Sequence, residues 1–333
     1  MKMSRVEVNS VVIPKKTPQQ EKIPQKQNIV KSMIGRFARW RARGRHENLW
    51  GYSFILPWII GFFLLVAFPF FFSLYISLTN WNILGARKFI GLRNFQEILF
   101  LDPRIWKTLY NTAYLAFFCV IICTIVALGL ALLVNQKVKF ISTFRLVFYL
   151  PSVVAGVSLF ILWTWIFDPS RKGLMNMVIG FFGLGPIGWH KSEIWVKPSL
   201  ILMYCFLVGG GMMIFLAGLQ GISEQLYESA EIDGASRIRK FFSITLPMLS
   251  PTLFLQLTMG IIGYFQVFVP IFIMTGGGPA DASLVLSLSI YRNAFEWYRM
   301  GYSCAISWFM FVVVMILTAF HFIGSRRWVY YEA

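Results

Sequence analysis

The sequence predicts an all-α fold, a polytopic membrane protein of six spanning helices, and three observations carry that prediction. Of its 333 residues, 57% are hydrophobic and only 14% charged, against roughly 25% charged in an average soluble domain. A water-soluble globule of this length could not hide so much apolar surface, so lipid is the solvent. The apolar residues gather in six windows, each meeting the length of about 20 residues that a helix needs to cross a bilayer. The basic residues are unevenly spread, with 12 of 31 in the first 50 positions.

Residues 1–50 read as a basic cytoplasmic tail. Pro14, Pro18 and Pro24 stand among Gln and Lys, a composition that stays disordered. The basic cluster from Lys31 to Arg45 suits an interfacial segment against anionic head groups. Nucleic acid is set aside, because no zinc-finger or basic-helix framework accompanies the charge. The polar stretch before the first apolar run is too long for a secretion leader and the run too long for a signal core, so the first span is expected to be retained.

The apolar region, 51–324, holds spans at about 53–78, 107–134, 147–167, 198–220, 247–273 and 303–323, followed by a short tail at 325–333. Pro57 and Pro69 in the first are tolerated where neighbouring helices satisfy freed carbonyls. Gly209, Gly210 and Gly211 interrupt the fourth, where close packing or local loosening is expected. Gln256, Tyr264, Gln266, Ser303 and Ser307 give the last two spans polar groups that avoid lipid. With both termini inside, the inner segments carry 20 Lys and Arg and the outer ones 10, which sets that orientation and puts 221–246 in the cytoplasm. Outside, Trp81, Trp106, Trp189 and Trp195 suit the head-group level. The run TGGGPADAS at 275–283 reads as a turn after the fifth span, and LVLSLSIYRNAFEWY after it as an amphipathic helix on the outer surface. Cys119, Cys123, Cys205 and Cys304 read as small hydrophobes, and the three dispersed histidines announce no metal site.

The segment YESAEIDGASRIRKFFSITLPMLSP, residues 227–251, is a polar interlude between the fourth and fifth spans. Ser223 can cap a short helix that contains Glu228, Ala230 and Glu231 and ends at Gly234. A second, from about Ala235 to Ser243, turns Ile238, Phe241 and Phe242 toward an apolar contact. Pro247 then suits the first turn of the next span. Such a pair either stiffens the bundle or forms a bearing surface for a cytosolic protein.

The pattern Glu228, Ala230, Asp233, Gly234, Ala235, Phe241, Ile244, Leu246, Pro247 resembles the cytoplasmic loop motif of permease subunits from bacterial binding-protein-dependent ATP-binding-cassette importers. MTGGGPADAS, IYRNAFEWYRMGYSCAISW, FILPWIIGF and YNTAYLAF resemble its carbohydrate-uptake branch, which includes maltose-type and glycerol-3-phosphate-type permeases. The likeness covers roughly residues 50–323. One departure is Ser229, where the family often has alanine; serine is small enough to keep a close approach. The resemblance implies a bacterial inner membrane location and a second, homologous permease. It also implies two cytosolic ATP-binding subunits that hold ATP and magnesium, and an extracytoplasmic solute-binding protein. It assigns ATPase coupling to Glu228, Ala230, Asp233, Gly234, Ala235, Leu246 and Pro247.

The chain has no G-x-x-x-x-G-K-[ST] loop to cradle phosphate, so it is expected to be a non-catalytic subunit with no cofactor or metal of its own. The spans show no Asp, Glu or Lys network of the kind an ion-coupled carrier uses. A sugar needs hydroxyl partners and flat apolar faces, for which Tyr204, Gly210, Tyr264, Gln266 and Trp308 are the candidates. Glycerol phosphate would instead require convergent basic groups. An ion-coupled secondary carrier and a membrane scaffold that recruits a cytosolic protein stand as the other classes.

Overall fold

The computed structural model describes residues 51–83, 85–136, 139–154 and 156–330. The tail expected at 1–50 and the end of the 325–333 tail lie outside them. Two units are present, 51–69 and 70–330. The smaller is the first part of helix α1 (Gly51–Ser77). Its large side chains are exposed, among them Phe54, Trp58 and Leu65. A π-helical turn, Phe63–Ala67, precedes Pro69. Proline donates no hydrogen bond and crowds the carbonyl four residues back, so the ladder widens there instead of closing.

The larger unit is helical apart from one short antiparallel ladder, β1 (Thr79–Asn80) with β2 (Lys88–Phe89), in which Thr79 faces Phe89. The helices follow in order: α2 (Arg93–Gln96), α3 (Pro103–Val134), α4 (Ile141–Val153), α5 (Gly156–Ile166), α6 (Leu174–Phe181), α7 (Val196–Phe206) and α8 (Gly209–Gln220). Then come α9 (Glu224–Ile232), α10 (Arg237–Met248), α11 (Ser250–Phe265), α12 (Val269–Met274), α13 (Leu286–Tyr291) and α14 (Met300–Ser325). The chain is thus all-α in architecture. Among the described residues α1, α3 and α14 are each long and apolar enough to cross a bilayer, and α4–α5, α7–α8 and α10–α11 pass the same test as bent pairs.

Helix α3 is the axis. Asp102 caps it, accepting from the Arg104 N–H at 3.0 Å, and Pro103 fills the first position, where a missing donor costs nothing. Leu115, Cys119, Cys123, Ala127 and Ala131 recur every fourth residue and are all buried. Most of this stripe is small, which lets α7, α8 and α11 pack close against it. The two cysteines are there as small hydrophobes, as their setting in the sequence implies.

The fourth span is kinked by 48° between α7 and α8, at the glycine run where close packing or local loosening is expected, and the fifth span needs two corrections. At Gly209 a Cβ would lie 2.6 Å from the Phe148 carbonyl oxygen and 2.9 Å from Tyr149 Cα, so α4 presses its main chain onto the start of α8. The fifth is bent by 64° between α10 and α11. Pro251 has no N–H for the Pro247 carbonyl, and the Ser250 hydroxyl donates to it at 2.6 Å instead. The same span does not run on to residue 273: α11 ends at Phe265 and α12 begins at Val269. Pro270 accounts for the break, since its ring would clash with the Gln266 carbonyl in a continuous helix.

The segment expected as an outer-surface amphipathic helix is also different. Leu284, Val285, Leu286 and Leu288 are all at most 2% exposed, and α13 packs against α3 and α14. The turn before it is held by the head of α3. Arg104 makes a two-pronged ion pair with Asp281, at 2.8 and 2.9 Å, and Lys107 donates to the Ala280 carbonyl at 2.7 Å.

Candidate functional site

Two places in the larger unit carry the residues singled out from the sequence. The first is a cavity of about 650 Å³ between α5, α7, α11 and the α11–α12 break. Gln256, Gly260 and Tyr264 line it at four-residue intervals along one face of α11. Tyr204 reaches it from α7, and Gln266, Val267 and Phe268 from the irregular stretch that Pro270 enforces. The Tyr204 and Tyr264 rings meet edge to face with centroids 5.1 Å apart. The Ser287 hydroxyl donates to the Val267 carbonyl, supporting the break from behind. None of the lining residues is charged. Two phenols, two carboxamides and several aromatic faces can bond hydroxyl groups and cover C–H surfaces.

Of the five residues expected on a solute path, Tyr204, Tyr264 and Gln266 come together here. Trp308 does not. Its indole N–H donates to Ser73 Oγ at 3.1 Å, and its ring packs on Phe70 and Phe311, with centroids 4.8 and 5.4 Å away. It joins α14 to the later part of α1. Gly210 is half-buried in the first turn of α8 and also stays outside the cavity wall; its neighbours Gly209 and Gly211 make the tight contacts. Gln256, Phe160 and Phe268 were not among the candidates. The spacing of Gln256 with Tyr264 would have found the first, whereas nothing separates a wall phenylalanine from a packing one by sequence alone.

The second place is the elbow between α8 and α11. Ser223 accepts from the Gln225 N–H at 3.3 Å and starts α9. At the other end Gly234 has φ +74°. The Ala235 N–H reaches back to the Ala230 carbonyl at 2.9 Å, and the Gly234 N–H to the Glu231 carbonyl at 3.0 Å. This is the double bond pattern that closes a helix at a left-handed residue, and glycine adopts that conformation without strain. Ser236 then caps α10, accepting from the Arg239 N–H at 3.3 Å.

Two ties hold α9 onto α10. Lys240 Nζ lies 2.5 Å from Glu231 Oε1, and the Tyr227 hydroxyl is 2.9 Å from Thr245 Oγ1. The Lys240 ammonium, first by that hydrogen bond and then by its charge, holds the Glu231 carboxyl below the usual carboxylate range. Glu228, Asp233 and Gly234 are exposed, Ala230 and Ala235 partly covered, and Leu246 and Pro247 half-buried where the elbow enters the bundle. Ile238 and Phe242, expected to turn toward an apolar contact, instead stand 73% and 62% exposed, with Ile232 at 88%. Phe241 and Ile244 are the half-buried members of this stretch, and Ile244 packs on the core. The elbow therefore presents large apolar side chains that the described residues do not cover, ringed by both signs of charge.

The family described as binding-protein-dependent transport system inner membrane component matches residues 125–330. A probable ABC transporter permease protein of Bacillus subtilis, YesP, is 38% identical over 293 residues, covering 87% of this chain and 94% of that protein. The sulfoquinovosyl glycerol transport system permease protein SmoG of Agrobacterium fabrum is 30% identical, covering 87% and 94%. Among solved structures, a bacterial ABC transporter involved in the import of the acidic polysaccharide alginate has a chain similar to this one. The TM-score is 0.75 at 25% identity, over 87% of this chain and 99% of that one.

Proposed function

From the membership of this chain in the family of binding-protein-dependent inner-membrane permeases, the transmembrane subunits of ABC importers for polar and carbohydrate-related solutes, we propose that it forms half of the path for a neutral sugar or oligosaccharide. The observation that carries this is the uncharged wall of the 650 Å³ cavity, with Tyr204, Gln256, Tyr264 and Gln266 converging on it. An anionic solute such as glycerol phosphate would lose its hydration against that wall without gaining a countercharge. The uncharged wall therefore favours the neutral solute over it.

The energy enters elsewhere. Ile232, Ile238 and Phe242 form the bearing surface for a cytosolic ATP-binding subunit, with Glu228 and Asp233 beside them. Gly234 and the ties at Lys240 and Tyr227 make that surface one rigid part with the root of α11. ATP binding between two such subunits moves the elbow, α11 follows, and the cavity at its far end opens toward the solute-binding protein; hydrolysis resets it. A second permease closes the other half of the path. ATP and magnesium belong to the partner subunits.

The test is uptake by the complete transporter reconstituted with its binding protein. Tyr264→Ala or Gln266→Ala should raise the half-saturating solute concentration about tenfold, the loss of roughly one hydrogen bond from a desolvated site. Solute binding to the binding protein should be unchanged. Wild-type uptake parameters in both variants would remove the cavity from the path.

A further inference from the structure

We propose that α6 is a membrane-surface anchor, with its outer stripe sunk among acyl chains and Arg171 and Lys172 set against the phosphates of anionic head groups. This does not rest on the sugar or coupling assignments. Leu174, Met177, Val178 and Phe181 recur at intervals of three and four, which places them along one side of the helix. All four are exposed, Met177 at 59% and Phe181 at 89%. Phe182 and Leu184 extend the patch, at 74% and 61%. The opposite side faces the protein: Met175 and Ile179 pack on the main core, and Asn176 is 4% exposed.

Asn176 fixes the direction in which the stripe points. Its Nδ2 donates to the carbonyls of Asp168, Ser170 and Ile187 at 3.1, 3.1 and 3.0 Å. Its Oδ1 accepts from the Ile187 N–H at 3.0 Å and the Trp189 indole at 2.9 Å. Every hydrogen-bonding position of the amide is used, so the loop is a built ledge.

The position of the ledge identifies what covers it. It joins α5 to α7, members of two bent pairs apolar and long enough to cross the bilayer. Phe167 and Trp189, with ring centroids 5.6 Å apart, pin its two ends together at the root, so it stays at the surface where those helices leave the lipid. An interfacial helix needs an apolar side toward the acyl chains and cations near the phosphates, and Arg171 and Lys172 are exposed just before the first turn. A solute-binding protein that docks and departs in each cycle fits poorly, because transient interfaces are polar and wet, and this stripe has no side-chain nitrogen or oxygen among its six residues.

The experiment uses the complete transporter in vesicles of phosphatidylcholine with and without phosphatidylglycerol, carrying a nitroxide at Phe181→Cys or, for comparison, at the exposed Glu193→Cys. Collisional relaxation by oxygen, which concentrates in lipid, is compared with that by a water-soluble nickel chelate. The oxygen-to-nickel ratio at 181 should exceed that at 193 by about threefold or more, as for a side chain buried about 5–10 Å below the head groups. Adding Arg171→Gln and Lys172→Gln should lower the ratio at 181 in the phosphatidylglycerol vesicles and leave it unchanged in phosphatidylcholine alone. Equal ratios at the two sites overturn the anchor. Protection at 181 that arises only on adding the solute-binding protein overturns it too, and gives the stripe to that protein. Protection from both relaxants without added protein reassigns it to the second permease. A lipid-independent effect of the double variant removes the head-group contact.

Discussion

At the residue scale, the side chains that local rules govern were legible and those that depend on direction around a helix were not. Ser223 and Gly234 stand where the chain needs a cap and a left-handed stop, because both needs arise within one turn of sequence. Trp308 lies outside the cavity wall for the opposite reason. Depth along a span can be counted in residues, but whether an indole faces a cavity or the neighbouring helix depends on packing, and here Ser73 and Phe70 claim it. Glu231 yields a pH dependence. Its folded pKa is depressed by Lys240, so the tie contributes in full above the ordinary glutamate value of about 4.3 and is lost as pH falls through the lower folded value. Hydrogen exchange across 227–245 in the purified complex should therefore be flat, after correction for intrinsic rates, from pH 8 to pH 5. Loosening confined to the 5–8 window would show that the ion pair does not hold the elbow.

At the element scale, the interlude was recognisable as two short helices, yet the burial of its apolar residues could not be foreseen. A sequence states that Ile238 and Phe242 are greasy and cannot say that the fold leaves them exposed. The bend in α10–α11 was missed because hydropathy windows register composition and not direction, whereas the glycine run 209–211 marked the place of the kink in α7–α8. Pro270, which causes the break near Gln266, nonetheless stands in the sequence. For the elbow the expected outcome is an uncoupled transporter: Gly234→Val forces a β-branched residue into a left-handed conformation costing roughly 1–2 kcal/mol. Uptake should drop more than tenfold while the amount of inserted permease, by membrane immunoblot, stays near wild type. Glu228→Lys should do the same by charge, with reduced co-purification of the ATP-binding subunit. Normal uptake in both variants would rule out force transfer through this elbow.

At the scale of the whole molecule, the all-α class, the membrane setting and the family were all readable, because composition and the 228–247 pattern are properties of the string itself. The orientation expected from the charge count is a proposal that site-directed labelling checks. In right-side-out vesicles a membrane-impermeant maleimide should reach Gly185→Cys and reach Ser229→Cys only after permeabilisation; the reverse pattern would invert the topology. The contact at Gly209 has a genetic corollary. What a side chain there would strike is chiefly the main chain of residues 148 and 149, and no codon change trims a backbone. Growth selection starting from Gly209→Val should accordingly recover reversion at codon 209 itself, with suppressors elsewhere in the gene scarce.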